Sequence, residues 1–142
     1  ETLYFSNNKN KFFSLDIATG TLNWQTKINS NLRPTLIDDY IFTVSLEGYL
    51  IIIKKKSGNI IRITDLFKNI KPKTRAKIKP TGFIVGKDNI YLTTDHGRLL
   101  VINIMEGSTK SILKIDNKKI SRPSVLNENL FMITDNAIIK LD

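Results

Sequence analysis

The chain has 142 residues, 41% of them hydrophobic and 25% charged, enough to bury a core and unlike a disordered tail. It has no cysteine, which excludes disulfides, thiolate catalysis and cysteine-ligated metals. The formal net charge is +9, from 22 Lys and Arg against 13 Asp and Glu. Most of the basic residues are lysines spread among abundant Asn and Ile, the composition of an AT-rich coding sequence, and no nucleic-acid partner is expected.

No apolar run approaches the ~20 residues that cross a bilayer as a helix. The longest, Tyr49 to Ile53, has strand length and stops at Lys54-Lys55-Lys56. The opening Glu1-Thr2-Leu3-Tyr4-Phe5 reads as the interior of a folded unit and not as a secretory leader. The expectation is therefore a piece of a longer protein.

Taken in order, the chain is a series of short strands separated by turn residues. Asn7-Asn8-Lys9-Asn10 leads into a strand at Lys11 to Asp16, and Thr19-Gly20 leads into Thr21 to Thr26. Pro34-Thr35-Leu36-Ile37 is followed by the polar turn Asp38-Asp39 and by Tyr40 to Val44. Ser45-Leu46-Glu47-Gly48 then turns into Tyr49 to Ile53, and Ser57-Gly58 into Asn59 to Ile63. A long basic connection spans Phe67 to Lys79, and Asp65 to Ile70 within this region has the makings of a single helical turn.

The pattern then starts again. Pro80 to Val85 and Asn89 to Thr93 flank a turn at Gly86-Lys87-Asp88. Asp95-His96-Gly97-Arg98 leads into Leu99 to Ile102, and Glu106-Gly107 into Ser108 to Leu113. A third round begins at Pro123, with strands before and after Asn127-Glu128, and closes with Asp135-Asn136 and Ala137 to Leu141. The turns carry the Gly, Asn and Asp that tight hairpins require, and the runs between them are rich in Ile, Val, Phe, Tyr and Thr.

Pro34, Pro80 and Pro123 open equivalent strands roughly 45 residues apart, the period of a propeller blade. The expected fold is all-β: a partial β-propeller of four-stranded antiparallel blades. Two blades are complete, at about 34–66 and 80–115. Two are partial: 3–28, which lacks its opening strand, and 123–142, which ends after its third. One such sheet has two apolar faces and buries them only by stacking on neighbours. Three to four blades fall short of most closed rings, so a fragment of a larger ring is expected, with self-association through exposed blade faces or edges as its hazard.

The stretch Ser14-Leu15-Asp16-Ile17-Ala18-Thr19-Gly20-Thr21-Leu22-Asn23-Trp24 resembles the PQQ-like, or quinoprotein-like, repeat family, whose consensus is Ala-x-Asp-x-x-Thr-Gly-x-x-x-Trp. Asp16, Thr19, Gly20 and Trp24 fit it, and Ser14 stands in place of Ala. The second copy has Lys54, Ser57, Gly58 and Arg62 at the four key positions and the third has Asn103, Glu106, Gly107 and Ser111, so only glycine persists. The resemblance implies a blade-docking motif: the Trp packs between adjacent blades, and the Asp and Thr-Gly turn tie the last two strands together. A ligand-stacking platform is the other role open to Trp24.

The family holds quinone-dependent dehydrogenases and non-catalytic propellers such as the BamB-type outer-membrane assembly lipoproteins. The plain blades and the missing cysteine pair imply the second kind. The expectation is a non-enzymatic scaffold for protein partners, the outer-membrane assembly machinery among them, on the periplasmic side of the cell envelope and associated with the outer membrane. A fragment of a PQQ-dependent dehydrogenase and a ligand-binding or sensor propeller are the alternatives.

No catalytic, cofactor or metal residue is assigned from the sequence. His96, the one histidine, sits in a hairpin turn with no marked nucleophile or orienter. Asp38-Asp39 and Asp88 read as turn caps, since no spaced oxygen-rich loop for Ca²⁺ accompanies them. The most individual feature is the basic connection, where Lys68, Lys71, Lys73, Arg75, Lys77 and Lys79 form either a contact surface on one rim or a solvated inter-blade loop.

Overall fold

A computed structural model describes residues 1–7 and 9–142. Asn8, in the first expected turn, lies outside the described residues. The described chain is all-β apart from one short helix, and it divides into two compact units, Glu1–Asp65 and Leu66–Asp142.

The first unit holds two antiparallel sheets. β1 (Thr2–Asn7), β2 (Lys11–Asp16) and β3 (Leu22–Thr26) form one in chain order. β4 (Thr35–Ile37), β5 (Tyr40–Val44), β6 (Tyr49–Lys54) and β7 (Ile60–Asp65) form the next. The second unit opens with the helix α1 (Pro72–Arg75), followed by the four-stranded sheet of β8 (Pro80–Val85), β9 (Asn89–Thr94), β10 (Arg98–Asn103) and β11 (Thr109–Lys114). A three-stranded sheet of β12 (Ser124–Leu126), β13 (Asn129–Ile133) and β14 (Ile138–Leu141) completes it.

The strands alternate because one side chain in two meets a neighbouring sheet. In the first unit Phe12 of β2, Ile41 of β5, and Ile51 and Ile53 of β6 form one buried cluster with Ile28, flanked by Tyr4, Trp24 and Tyr49. In the second, Leu99, Leu130 and Met132 bury together with Ile120, flanked by Tyr91 and Ile139 among others. Ile28 and Ile120 belong to no strand. Each lies in the connection that follows a blade's last strand, and Ile78 is buried at the corresponding place in the long connection. The linkers are thus fixed by an apolar anchor.

The hairpins share one device. A polar side chain at the end of the second strand accepts a backbone N–H from beyond the turn. Asn7 Oδ1 accepts from Lys9 at 3.0 Å and Lys11 at 3.2 Å, and Ser45 Oγ from Tyr49 at 3.3 Å. Thr94 Oγ1 accepts from Arg98 and Thr134 Oγ1 from Ala137, each at 3.1 Å. These are the side-chain-closed turns that Ser, Thr and Asn form readily.

The single helical turn is not at Asp65 to Ile70. Asp65 still belongs to β7, and residues 66–69 form a turn closed by the Ile70 N–H on the Phe67 carbonyl at 2.9 Å. The helix starts later, at Pro72, whose fixed φ suits the first helical position and whose missing N–H is not needed there.

Candidate functional site

The Asp16–Trp24 segment is the most organised polar feature of the first unit. Asp16 Oδ1 accepts the Thr19 N–H at 2.9 Å and the Thr19 hydroxyl at 3.1 Å. The Asp16 carbonyl accepts the Gly20 N–H at 2.8 Å, and the Asp16 N–H donates to the Thr21 carbonyl at 2.9 Å. Gly20 has φ +69°, which an L side chain adopts only at a cost. The Thr19 N–H, and after it the Thr19 hydroxyl, hold the Asp16 carboxyl below its ordinary range, because both favour the charged form.

This turn sends β3 back along β2 with Trp24 opposite Ser14. The indole stacks on Phe12, with ring centres 6.1 Å apart and planes 13° apart, and meets Tyr4 at 6.0 Å. Its N–H donates to the Lys55 carbonyl of the next sheet at 2.8 Å. Gly58 lies against it, where a Cβ would come 2.6 Å from Trp24 Cδ2. Trp24 therefore joins two blades through a buried ring contact, a hydrogen bond to backbone and a glycine with no room for a side chain. The indole remains half-buried, at the edge of a cleft of about 380 Å³ that Asn23 and Lys56 also line.

The other two copies of the turn keep the geometry where the letters have changed. Gly58 and Gly107 have φ +72° and +67° and donate to the Lys54 and Asn103 carbonyls, each at 2.9 Å. Arg62 and Ser111 hold the register of Trp24, opposite Ile52 and Val101. Each of the three third strands has a register irregularity just before the turn, at Ser14/Leu15, Ile52/Ile53 and Val101/Ile102. Asn103 Oδ1 accepts the Glu106 N–H at 2.8 Å, as Asp16 does for Thr19. Glycine is therefore not all that persists: Asn supplies the same acceptor oxygen without the charge.

The remaining sequence candidates are spread through the fold. His96 is half-exposed, its Nδ1 2.8 Å from Asp95 Oδ1. The same Asp95 oxygen accepts the Lys79 N–H at 2.8 Å, and the Asp95 N–H returns a bond to the Lys79 carbonyl. Asp95 thus ties the β9–β10 hairpin to the incoming linker. Asp38 sits in the β4–β5 turn with φ +45°, where its carbonyl accepts from the Lys55 ammonium. Among the described residues no three acidic or histidine side chains converge as a metal site would require.

Lys68, Lys71, Lys73, Lys77 and Lys79 are exposed and Arg75 is half-buried. The connection that carries them is pinned at its ends by buried Leu66, Phe67 and Ile78. Sequence reasoning did not pick out those anchors, nor the role of Arg122. The Arg122 Nε–H donates to the Phe83 carbonyl at 3.0 Å, and its side chain crosses directly over Gly82. A glycine inside a strand pattern marks such a close approach, so Gly82 was the available clue.

Residues 1–64 match the family model for the PQQ-like repeat, described as outer membrane protein assembly factor BamB. That part of the chain is similar to the PQQ-like repeat family, and the chain has a β-propeller fold. Among solved structures, BamB from Moraxella catarrhalis shares the fold at a TM-score of 0.73 and 15% identity, over 98% of this chain and 40% of that one. The β-propeller domain of Cps50 (Swd1) from Myceliophteria thermophila gives a TM-score of 0.72 at 15% identity, over 98% and 47% of the two chains. The computationally designed Ika4 protein gives 0.72 at 10% identity, over 99% and 84%. The chain thus spans less than half the length of the first two. No curated protein sequence matches it. No helix among the described residues is long and apolar enough to cross a membrane.

Proposed function

We propose that the chain is a non-catalytic propeller segment that binds protein partners, in a role like that of BamB in outer-membrane β-barrel assembly, on the periplasmic side of the cell envelope. The observation that carries this reading is the outer strand β7. It is the edge of its sheet, and it exposes Ile61 and Ile63, 52% and 58% accessible. Such an edge accepts an added strand, the backbone supplying hydrogen bonds and the isoleucines apolar contact. The family match over residues 1–64 supports the same reading, and the polar side chains of the Asp16 and Asp95 turns are engaged in holding backbone.

The experiment is site-specific photo-crosslinking from Ile61 and Ile63 in cells that express the intact protein. The expected products contain outer-membrane assembly proteins, and I61K/I63K abolishes their co-purification. Crosslinks confined to cytoplasmic proteins, or co-purification indifferent to I61K/I63K, would reject the proposal. Quinone-dependent alcohol or sugar oxidation by the intact protein would reject its non-catalytic part.

A further inference from the structure

We propose that the connection from Leu66 to Lys79 is an electrostatic docking surface for an anionic phospholipid membrane. Residues 68–79 contain six basic side chains and no acidic one, which supplies two thirds of the formal +9 from a small fraction of the chain. The charge is therefore local: the rest of the molecule is close to balanced.

The structure presents this charge to solvent. Lys68, Lys71, Lys73, Lys77 and Lys79 are exposed, and among the described residues none of the five forms an ion pair. Leu66, Phe67 and Ile78 bury the ends of the segment, and the α1 turn gives it fixed shape through the Arg75 N–H on the Lys71 carbonyl and the Ala76 N–H on the Pro72 carbonyl. At physiological salt the screening length is about 8 Å, so charges concentrated in one short segment reinforce one another more than charges spread over the chain.

The kind of basic residue and its surroundings select the partner. Protein interfaces are depleted in Lys and are built on apolar or aromatic anchors. Here Leu66, Phe67 and Ile78 are buried and Ile70 is half-buried, so no large apolar side chain stands fully exposed. Single-stranded nucleic acid needs aromatic faces to stack on, and the segment's one aromatic, Phe67, is fully buried. The segment's one guanidinium, Arg75, is half-buried and already engaged. What is left is a set of exposed ammonium groups, which suits the diffuse field of an anionic lipid surface, where each Lys raises partitioning several-fold.

The test is co-sedimentation of the 142-residue chain with vesicles of phosphatidylethanolamine and phosphatidylglycerol, and with vesicles of phosphatidylcholine alone. The chain should partition onto the phosphatidylglycerol vesicles, less so as salt rises, and not onto phosphatidylcholine. K71E/K73E/K77E, whose side chains hold nothing in the fold, should lower that partitioning about a hundredfold. K110E/K114E/K119E, with the same change in net charge elsewhere, should leave most of it in place. Failure to bind phosphatidylglycerol vesicles, equal losses in the two triple variants, or undiminished binding by K71E/K73E/K77E overturns the proposal. So does capture of polyglutamate or an oligonucleotide at a salt concentration where the vesicles are not bound.

Discussion

At Gly58 an added methyl group would meet the indole of Trp24, whereas at Gly20, with nearly the same positive φ, it would meet nothing within 4 Å. The two positions separate backbone strain from lost docking. Gly20→Ala is expected to lower stability by about 1 kcal/mol, the left-handed penalty alone. Gly58→Ala adds the displacement of Trp24 and should cost roughly 2 kcal/mol more, as overpacking does. Urea denaturation of the two variants checks the order, and equal losses would mean that Trp24 gives way freely.

Trp24→Phe keeps most of the ring and removes the donor to Lys55, so it should cost about 1 kcal/mol. Asp16 adds a pH dependence. Its carboxyl titrates below the ordinary range when folded, so its stabilisation is complete above that range and disappears as pH falls through the lowered value. Asp16→Asn keeps the acceptor oxygen, as Asn103 does in the third blade. It should leave neutral stability nearly unchanged and flatten the acid side of a plot of melting temperature against pH.

Among the elements, the linkers carry more of the packing than their irregular backbone suggests. Ile120 is fully buried in the second unit's core, while Ile138, inside strand β14, is 72% exposed. Ile120→Ala is expected to cost about 3 kcal/mol and Ile138→Ala less than about 0.5 kcal/mol, read from denaturant midpoints. Strand membership is thus a poor guide to burial in these blades. The hairpins add a second regularity, with Asn7, Ser45, Thr94 and Thr134 each closing its turn by a side-chain oxygen. At the β12–β13 turn both Asn127 and Glu128 have positive φ, which a two-residue hairpin of the primed type demands and glutamate adopts at a cost.

For the whole molecule, the exposed apolar side chains are concentrated on outer and terminal strands: Ile61 and Ile63 on β7, Ile112 on β11, Val125 and Leu126 on β12. Unprotected edges of that kind associate. The chain should therefore sediment with a concentration-dependent mass, and I61K/I63K should shift it toward the monomer. A mass that is monomeric throughout, or unaffected by the substitution, would show that β7 is not a contact edge. The basic connection works against association through charge, so higher salt should favour the larger species.

The number, order and turns of the strands were legible in the sequence because those constraints are local. A tight turn needs Gly, Asn or Asp where φ is positive, a strand alternates with period two, and both recur at Gly20, Gly58 and Gly107 with the spacing of a blade. The PQQ-like motif around Trp24 was legible for the same reason. Tertiary structure decided what those residues meet. The acceptor of the indole N–H is Lys55, 31 residues away, and nothing in the spacing singles out that carbonyl. The equivalence of Asn103 with Asp16 depends on an oxygen reaching the same N–H in a fold where the residue letter differs. Ile28 and Ile120 sit in stretches with no period to reveal a buried face, and each is inside because the two sheets of its own unit leave a space that an isoleucine fills.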